Sequence, residues 1–290
     1  MPFWLSIACL SLFQGALVAL PTRVAWAPLR RLRAGGWALV LPVSIIAFVA
    51  IARAAESASA EGLTYLALVA VPPLAALALG WLSPGARPRR ALWAGALFAL
   101  AWADRGGFAG NAAATLLSGL SCVALGSVLG AITPPRWLAA GIVAMAAADT
   151  ALVVSDLLQA PNDALNAAHP AAGLPRLQAE TFGSALMGYG DLFVAAVFGG
   201  MLAAERRPQL PAAALTAGLA LAFDLLFFAV NELPATVPVA LALGVLAISR
   251  RRRSAAAPGA PRAARLRARP ARARPAGDPP ARPARRSPAP

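Results

Sequence analysis

Long apolar runs alternate with short polar connections along most of the chain. Eight of these runs are long enough to cross roughly 30 Å of hydrocarbon as helices of about 20 residues. A ninth run, ALWAGALFALAWA, is shorter, and the charges around it favour counting it as a crossing too. The pattern predicts an all-α polytopic membrane protein with nine transmembrane helices, at residues 3–20, 36–54, 63–82, 91–103, 108–132, 138–158, 182–204, 211–230 and 233–249.

Positive charge is concentrated after the last apolar run. Residues 250–290 hold 13 of the 26 Arg residues and are rich in Pro, without apolar periodicity, so we expect a disordered tail. Such a tail suits anionic lipid headgroups as partners, and its lack of aromatic residues disfavours nucleic acid. The predicted organisation is an N-terminal bundle of five helices (residues 1–137), a second bundle of four helices (residues 138–249) and the tail.

Arginine is distributed unequally between the two sides of the predicted bundle. With nine crossings, 23 Arg residues fall on one side, and Arg53, Arg105 and Arg176 fall on the other. Basic residues are enriched on the cytoplasmic side of membrane proteins. We therefore predict a multi-pass protein of the cell membrane, with an uncleaved first span, the amino terminus outside and the carboxyl tail in the cytoplasm.

The composition directs any function to the membrane bundle. With 59% hydrophobic and 13% charged residues, the sequence leaves no soluble domain of useful size. Cys9 and Cys122 lack the spacing of a disulfide framework or a zinc site. His169 has no second metal ligand nearby in the sequence, so we assign it no role.

Four aspartates lie within or close to the apolar runs: Asp149, Asp156, Asp191 and Asp224. An ionisable side chain at the centre of a bilayer costs roughly 3 kcal/mol on insertion scales, so each is a functional candidate. A helix-packing role, with the acid satisfied by a neighbouring hydroxyl or backbone group, is the structural alternative.

Depth along the helices separates these candidates. The sixth and seventh predicted helices run antiparallel, and Asp149 and Asp191 differ in depth by about 3 Å at 1.5 Å per residue. For Asp156 and Asp191 the mismatch is about 7.5 Å. We therefore expect Asp149 and Asp191 to be the pair that shares a site.

Two carboxyl groups that share a pocket of low dielectric tend to hold one proton between them. In aspartic proteases the ionised member takes a proton from the attacking water, and the protonated member polarises the peptide carbonyl. A dyad of this kind supports hydrolysis without a metal or a cofactor.

Two further elements accompany the proposed dyad. Gly188 and Gly190, in GYGD, remove side-chain bulk beside Asp191, either for an approaching substrate backbone or for helix packing. In NELPATVPVALALG, Pro234 and Pro238 deprive the start of the last helix of regular hydrogen bonds. That leaves backbone free to pair with an unwound substrate, although a proline at a helix start is common in any case.

In combination, the mid-helix aspartate, the GxGD motif and the Pro-Ala element resemble the presenilin and signal peptide peptidase family of intramembrane aspartyl proteases. GYGDLFVAAVFGGMLAA is similar to the family's GxGD helix, and GLALAFDLLFFAVNELPATVPVALALG resembles its last two helices with the PAL motif. The resemblance implies a presenilin-like bundle, Asp149 and Asp191 as the catalytic pair, and transmembrane proteins or signal peptides as substrates. Gly188 and Gly190 would complete the GxGD motif, and Pro234 and Ala235 would shape the active site and support substrate.

The chain departs from the family pattern at two positions. Ala148 stands where the family usually has Tyr or Phe, and Thr236 stands where the family has Leu. The predicted orientation is similar to that of the signal peptide peptidase branch.

Two other functions remain open on sequence alone. A prepilin-peptidase type of GxGD protease would use Asp156, followed by Pro161 and Asn162, but few residues separate Asp156 from Asp191. A non-enzymatic transporter or channel would use the intramembrane acids as a proton or cation path, and Asp224 favours it most.

Overall fold

The computed structural model of the protein describes residues 2–54, 56–168, 173–230 and 232–255. Most of these residues are helical, and one short antiparallel hairpin interrupts the helices. The chain divides into a large unit, Met1–Ala247, and a second one, Ile248–Pro290, which is described only as far as Ala255. His169 and residues 256–290 of the predicted tail lie outside the described residues.

The helices follow the apolar runs of the sequence. They are α1 (Phe3–Ala19), α2 (Ala27–Arg31), α3 (Val40–Ala54), α4 (Glu56–Leu77), α5 (Leu92–Ala103), α6 (Phe108–Ile132), α7 (Pro135–Val154), α8 (Gln159–Ala167), α9 (Tyr189–Ala204), α10 (Leu210–Asp224) and α11 (Val237–Ala255). Short 3₁₀ turns precede α3 (Gly35–Leu39) and α5 (Pro88–Ala91) and follow α10 (Leu225–Phe228), and a π-helical turn (Ala78–Leu82) extends α4.

Several helices are suited to a bilayer. Five of those described are long and apolar enough to cross a membrane: Gly35–Arg53, Ala60–Leu82, Phe108–Ile132, Pro135–Val154 and Leu210–Phe228. α1 and α9 are apolar but shorter. The protein is thus mostly helical, with apolar helices suited to membrane insertion, and the count of nine crossings stays a prediction.

The core lies where α9 packs against α6. Every residue of α9 from Leu192 to Ala203 is buried. A Cβ atom added at Gly126 or Gly130 of α6 would overlap the backbone carbonyls of α9, and one at Gly200 would overlap that of Gly126. The two backbones therefore touch, which small residues permit between membrane helices. This contact holds α9, and with it the GYGD segment, in the centre of the protein.

α1 completes the core from the other side. It packs along α10 and α9, and a Cβ at Gly199 would overlap the carbonyl oxygen of Val18. The Nε2 amide of Gln209 donates to the carbonyls of Val18, Pro21 and Gly199, at 3.1, 2.9 and 3.1 Å, and so joins the end of α1 to α9. A helix near the amino terminus is thereby fixed beside the GYGD helix.

The structure of the GYGD segment differs from the predicted seventh helix. That helix was expected from residue 182, but β1 (Ala179–Phe182) and β2 (Ala185–Gly188) form a hairpin and α9 begins only at Tyr189. Gly183 makes the turn possible, because its φ of 62° lies in the left-handed region. Asp191 therefore sits in the first turn of its helix and not in the middle.

Two helix ends also differ from prediction. α7 ends at Val154, so Asp156 lies in the turn beyond it, with a φ of 56°. α11 continues to Ala255, through four Arg residues expected to be disordered. Arginine is a good helix former and interacts favourably with a helix C-terminus, which accounts for the extension.

Candidate active site

Asp149 and Asp191 lie on α7 and α9, two helices that pack against each other. Asp149 is buried, and Asp191 is partly accessible at the start of α9. The two carboxyl groups are close enough for the charge of Asp149 to act on Asp191. The structure therefore brings together the same two acids that were predicted to share a site from their similar depths along the helices.

Asp149 receives its hydrogen bond from the segment before α11. The hydroxyl of Thr236 donates to Oδ2 of Asp149 at 2.6 Å, and the backbone amide of Thr236 adds a second contact. Both residues are buried, with 6% and 1% of their surfaces exposed. The position at which the chain departs from the PAL motif thus supplies the donor that orients one carboxyl group of the pair.

Asp191 receives its hydrogen bond from the end of the hairpin. The backbone N–H of Gly188 donates to Oδ2 of Asp191 at 3.2 Å. As the third residue of α9, Asp191 also lies at the positive end of the helix dipole, which favours a carboxylate. The hairpin and the helix start together fix this carboxyl group.

The two glycines of GYGD have different surroundings. A Cβ added at Gly188 would lie 3.1 Å from Oδ2 of Asp191, so a larger residue would press on the carboxyl group. A Cβ added at Gly190 would lie 3.5 Å from Cε of Met145, an ordinary contact with α7. The missing side chain at Gly188 therefore makes room for the Asp191 carboxyl itself.

Pro234 and Ala235 lie in a short non-helical segment before α11. Pro234 is buried, and its carbonyl accepts a hydrogen bond from the N–H of Val237 at 3.1 Å. The carbonyl of Ala235 accepts from the Gln14 side chain. Because α11 begins only at Val237, this segment passes the two aspartates as irregular backbone.

Gln14 connects three parts of the chain and was missed by the sequence analysis. Its Nε2 amide donates to the carbonyl of Ala235 at 2.8 Å and to that of Asp191 at 3.3 Å. The side chain is fully buried in α1, and its Oε1 atom has no hydrogen-bond partner among the described residues. The available signal was an amide in the middle of an apolar run, since buried polar side chains usually have a specific partner.

Glu180 was missed as well, because it precedes the run that was taken as a helix. It lies on β1, opposite Met187 of β2, with 1% of its surface exposed. Its charge acts on Asp191. A third carboxyl group therefore lies beside the pair.

An apolar groove of about 670 Å³ runs between α7 and α11. Six residues of α7 between Val143 and Val154 line one wall, and Val237, Ala240 and Leu241 line the other. The groove follows the stretch of α7 that carries Asp149 and the start of α11 next to Thr236. Neither aspartate of the pair lines the groove itself.

The other two aspartates have different surroundings. Asp224 is partly buried at the end of α10 and accepts a hydrogen bond from the Ser11 hydroxyl at 2.7 Å. Asp156 is exposed, and its charge acts on Glu232. Neither is among the groups whose charge acts on Asp191.

No protein-family model matches the chain, and neither the curated proteins nor the solved structures gave a match. The chain's likeness to presenilins and signal peptide peptidases rests on the motifs quoted above.

Proposed function

We propose that the protein is an intramembrane aspartyl protease that hydrolyses peptide bonds within transmembrane helices. The observation that supports this most is the pairing of Asp149 with Asp191 beside the irregular segment at Pro234 and Ala235. The proposal includes nine crossings, an amino terminus outside and a cytoplasmic tail, as the distribution of Arg predicts.

The chemistry would follow from the shared proton of the pair. The ionised carboxylate takes a proton from a water molecule as the water oxygen attacks the peptide carbonyl carbon, and the protonated carboxyl group donates to the carbonyl oxygen. Collapse of the tetrahedral intermediate breaks the C–N bond, and the amine leaves with a proton from the pair. The Thr236 hydroxyl, 2.6 Å from Asp149, stabilises negative charge on that carboxyl group.

Access for a substrate helix is provided by the groove between α7 and α11. Its walls are mostly aliphatic, so it suits the apolar surface of a transmembrane helix. Cleavage also requires an unwound backbone, and β2 pairs only with β1 among the described residues, which leaves its second edge for an extended peptide. Transmembrane proteins and signal peptides are the substrates that these features suit.

The surroundings of the other acids argue against the alternatives. A prepilin-peptidase type of mechanism requires Asp156 beside Asp191, but Asp156 lies exposed in the turn after α7. A proton path that uses Asp224 requires it to face the other acids, whereas it is bonded to Ser11. Neither observation extends to ion conduction by the Asp149–Asp191 pair itself, so the experiment must measure conduction too.

The test uses the full chain in liposomes with a fluorogenic transmembrane reporter. We expect cleavage by the wild type and by Asp156→Asn, and none by Asp149→Asn or Asp191→Asn. Loss in Asp156→Asn would favour the prepilin-peptidase type. A wild type that cleaves nothing but conducts ions in an Asp191-dependent way would overturn the protease proposal.

The orientation needs its own measurement. A reporter fused to the carboxyl tail should be active only in the cytoplasm, and one fused to the amino terminus only outside. The opposite result would reverse the orientation of the substrates that the enzyme accepts.

A further inference from the structure

Glu180 is a buried acid, and no basic residue is among the described groups that act on it. Only 1% of its surface is exposed, and neither carboxyl oxygen has a hydrogen-bond partner among the described residues. The Ser118 hydroxyl faces it from α6 but donates to the carbonyl of Leu177 at 3.3 Å. Burial of an unpaired carboxylate is costly, so such a group keeps its proton. Glu180 is therefore neutral while its surroundings remain dry.

Within the described part of the chain, three titratable side chains face Glu180, and none of the three is basic. From α6 the thiol of Cys122 faces it, and from α9 the Tyr189 hydroxyl and the Asp191 carboxyl group do. α1 also packs on β1 and contributes only Cys9 as a titratable side chain, whereas β2 has none. The ionisation of Glu180 would consequently act on Cys122, Tyr189 and Asp191, and of these only Asp191 belongs to the aspartate pair.

The hairpin fixes this arrangement. Glu180 pairs with Met187 in the strand register, and the next residue of β2, Gly188, donates its N–H to Asp191. The strand that carries Glu180 is thus joined by backbone hydrogen bonds to the segment that orients Asp191. A proton bound to Glu180 therefore has a fixed position relative to the aspartate pair.

We propose that Glu180 is a positioning residue of the Asp149–Asp191 site, whose ionisation in alkaline solution keeps the shared proton on the pair. This inference rests on the proposed function. Below neutral pH Glu180 carries no charge and leaves the pair unaffected. Once it ionises, its negative charge opposes the loss of the last proton from the pair, so the form with one shared proton persists to higher pH.

The burial of Glu180 sets the pH range of this effect. Burial raises the pKa of Glu180 from the ordinary 4.5 to about 8. Glu180 is therefore neutral in acid solution and becomes ionised only above about pH 8, so its charge is present only on the alkaline side of a pH–activity profile. Only the alkaline limb should respond to a change at this position.

The first measurement compares the pH profile of kcat for the wild type, Glu180→Gln and Glu232→Gln. Glu232 is the matched control, an acid whose neighbours are Asp156 and Asp163 and not the catalytic pair. We expect Glu180→Gln to move the alkaline limb to lower pH by about one unit and to leave the acid limb in place. The control should keep both limbs. An unchanged profile, or an alkaline limb that moves upward, would overturn the proposal.

The second measurement does not depend on proteolysis. Infrared titration of the reconstituted protein should show a protonated-carboxyl band at pH 6.5 that Glu180→Gln lacks. The band that Asp191→Asn removes should disappear at lower pH in Glu180→Gln than in the wild type. Identical titration of that band in both proteins would exclude the inference even if the enzyme is active, whereas a wild type without cleavage but with the expected bands would refute the protease alone.

Discussion

Asp191 and Asp224 are both aspartates in strongly apolar sequence, yet they lie in different kinds of surroundings. Asp191 meets the charges of Asp149 and Glu180 at the buried junction of α7, α9 and the hairpin. Asp224 meets one hydroxyl, that of Ser11, at a partly exposed helix end. A single hydroxyl satisfies an acid structurally, whereas a second carboxyl group creates a shared proton. This difference shows that the role of an acid is indicated by the groups it contacts and not by its depth in the membrane.

The largest expected effect separates the two aspartates directly. Asp191→Asn should reduce kcat for a transmembrane reporter by at least about a thousandfold, because it removes one member of a unit that acts together. Asp224→Asn should change kcat by less than about threefold, since an amide still accepts from Ser11. Reporter cleavage in liposomes measures both. Equal losses would show that the two regions do not differ in role.

Thr236→Val tests the donor that distinguishes the Asp149–Asp191 site. It keeps the shape of the side chain and removes the hydroxyl bonded to Asp149. A hydrogen bond to a charged group is worth roughly 1.5–3 kcal/mol, so kcat should fall by about 10- to 100-fold.

The matched control is Ser11→Ala, which removes the hydroxyl from Asp224. It should lower the melting temperature slightly and leave kcat nearly unchanged. If Thr236→Val were fully active, Thr236 would have the same structural role as Ser11.

Gln14→Leu examines the link between α1 and the site. The substitution leaves the carbonyls of Ala235 and Asp191 without their donor, and we expect kcat to fall about tenfold. Gln14→Met should not restore activity, because a thioether has no N–H or O–H to donate to carbonyl oxygens. As a control for general damage to α1, Ser11→Ala removes a hydroxyl on the same helix and should retain activity. If Gln14→Leu kept the wild-type kcat, the Gln14 side chain would contribute only to packing.

A further prediction concerns the pH dependence of stability. The folded state raises the pKa of Glu180 from the ordinary 4.5 to about 8, so it holds this proton more tightly than the unfolded chain. The contribution of Glu180 to the free energy of unfolding is largest below about pH 4.5. It declines as the pH rises towards 8 and does not change further above that. At roughly 1.4 kcal/mol per pKa unit, the decline is at most on the order of 5 kcal/mol.

Glu180→Gln should remove this decline. Its melting temperature should equal that of the wild type near pH 4.5 and exceed it at pH 8.5, as followed by circular dichroism in detergent. A wild type that is equally stable at both values would contradict the burial of an unpaired carboxyl group at this position.

The sequence predicted the helices better than the start of the GYGD helix. Apolar runs of about 20 residues are sufficient to indicate helices such as α6 and α7. The second strand of the hairpin, Ala185–Gly188, is apolar as well, so hydropathy does not separate strand from helix there, and the turn at Gly183 marks the difference. Gln14 and Glu180 escaped prediction because their partners lie far away in sequence or on the other side of that turn.

The sequence by itself determined a mostly helical chain with apolar helices and a short set of candidate acids, because these follow from local composition and spacing. The tertiary structure decided which acids meet, since the contact of α7 with α9 and the glycine packing of α9 on α6 depend on distant segments. It also placed Thr236, Gln14 and Glu180 around the pair. Hydrogen bonds and charges act over a few ångströms, and only the folded chain brings residues 14, 149, 180, 191 and 236 within that range.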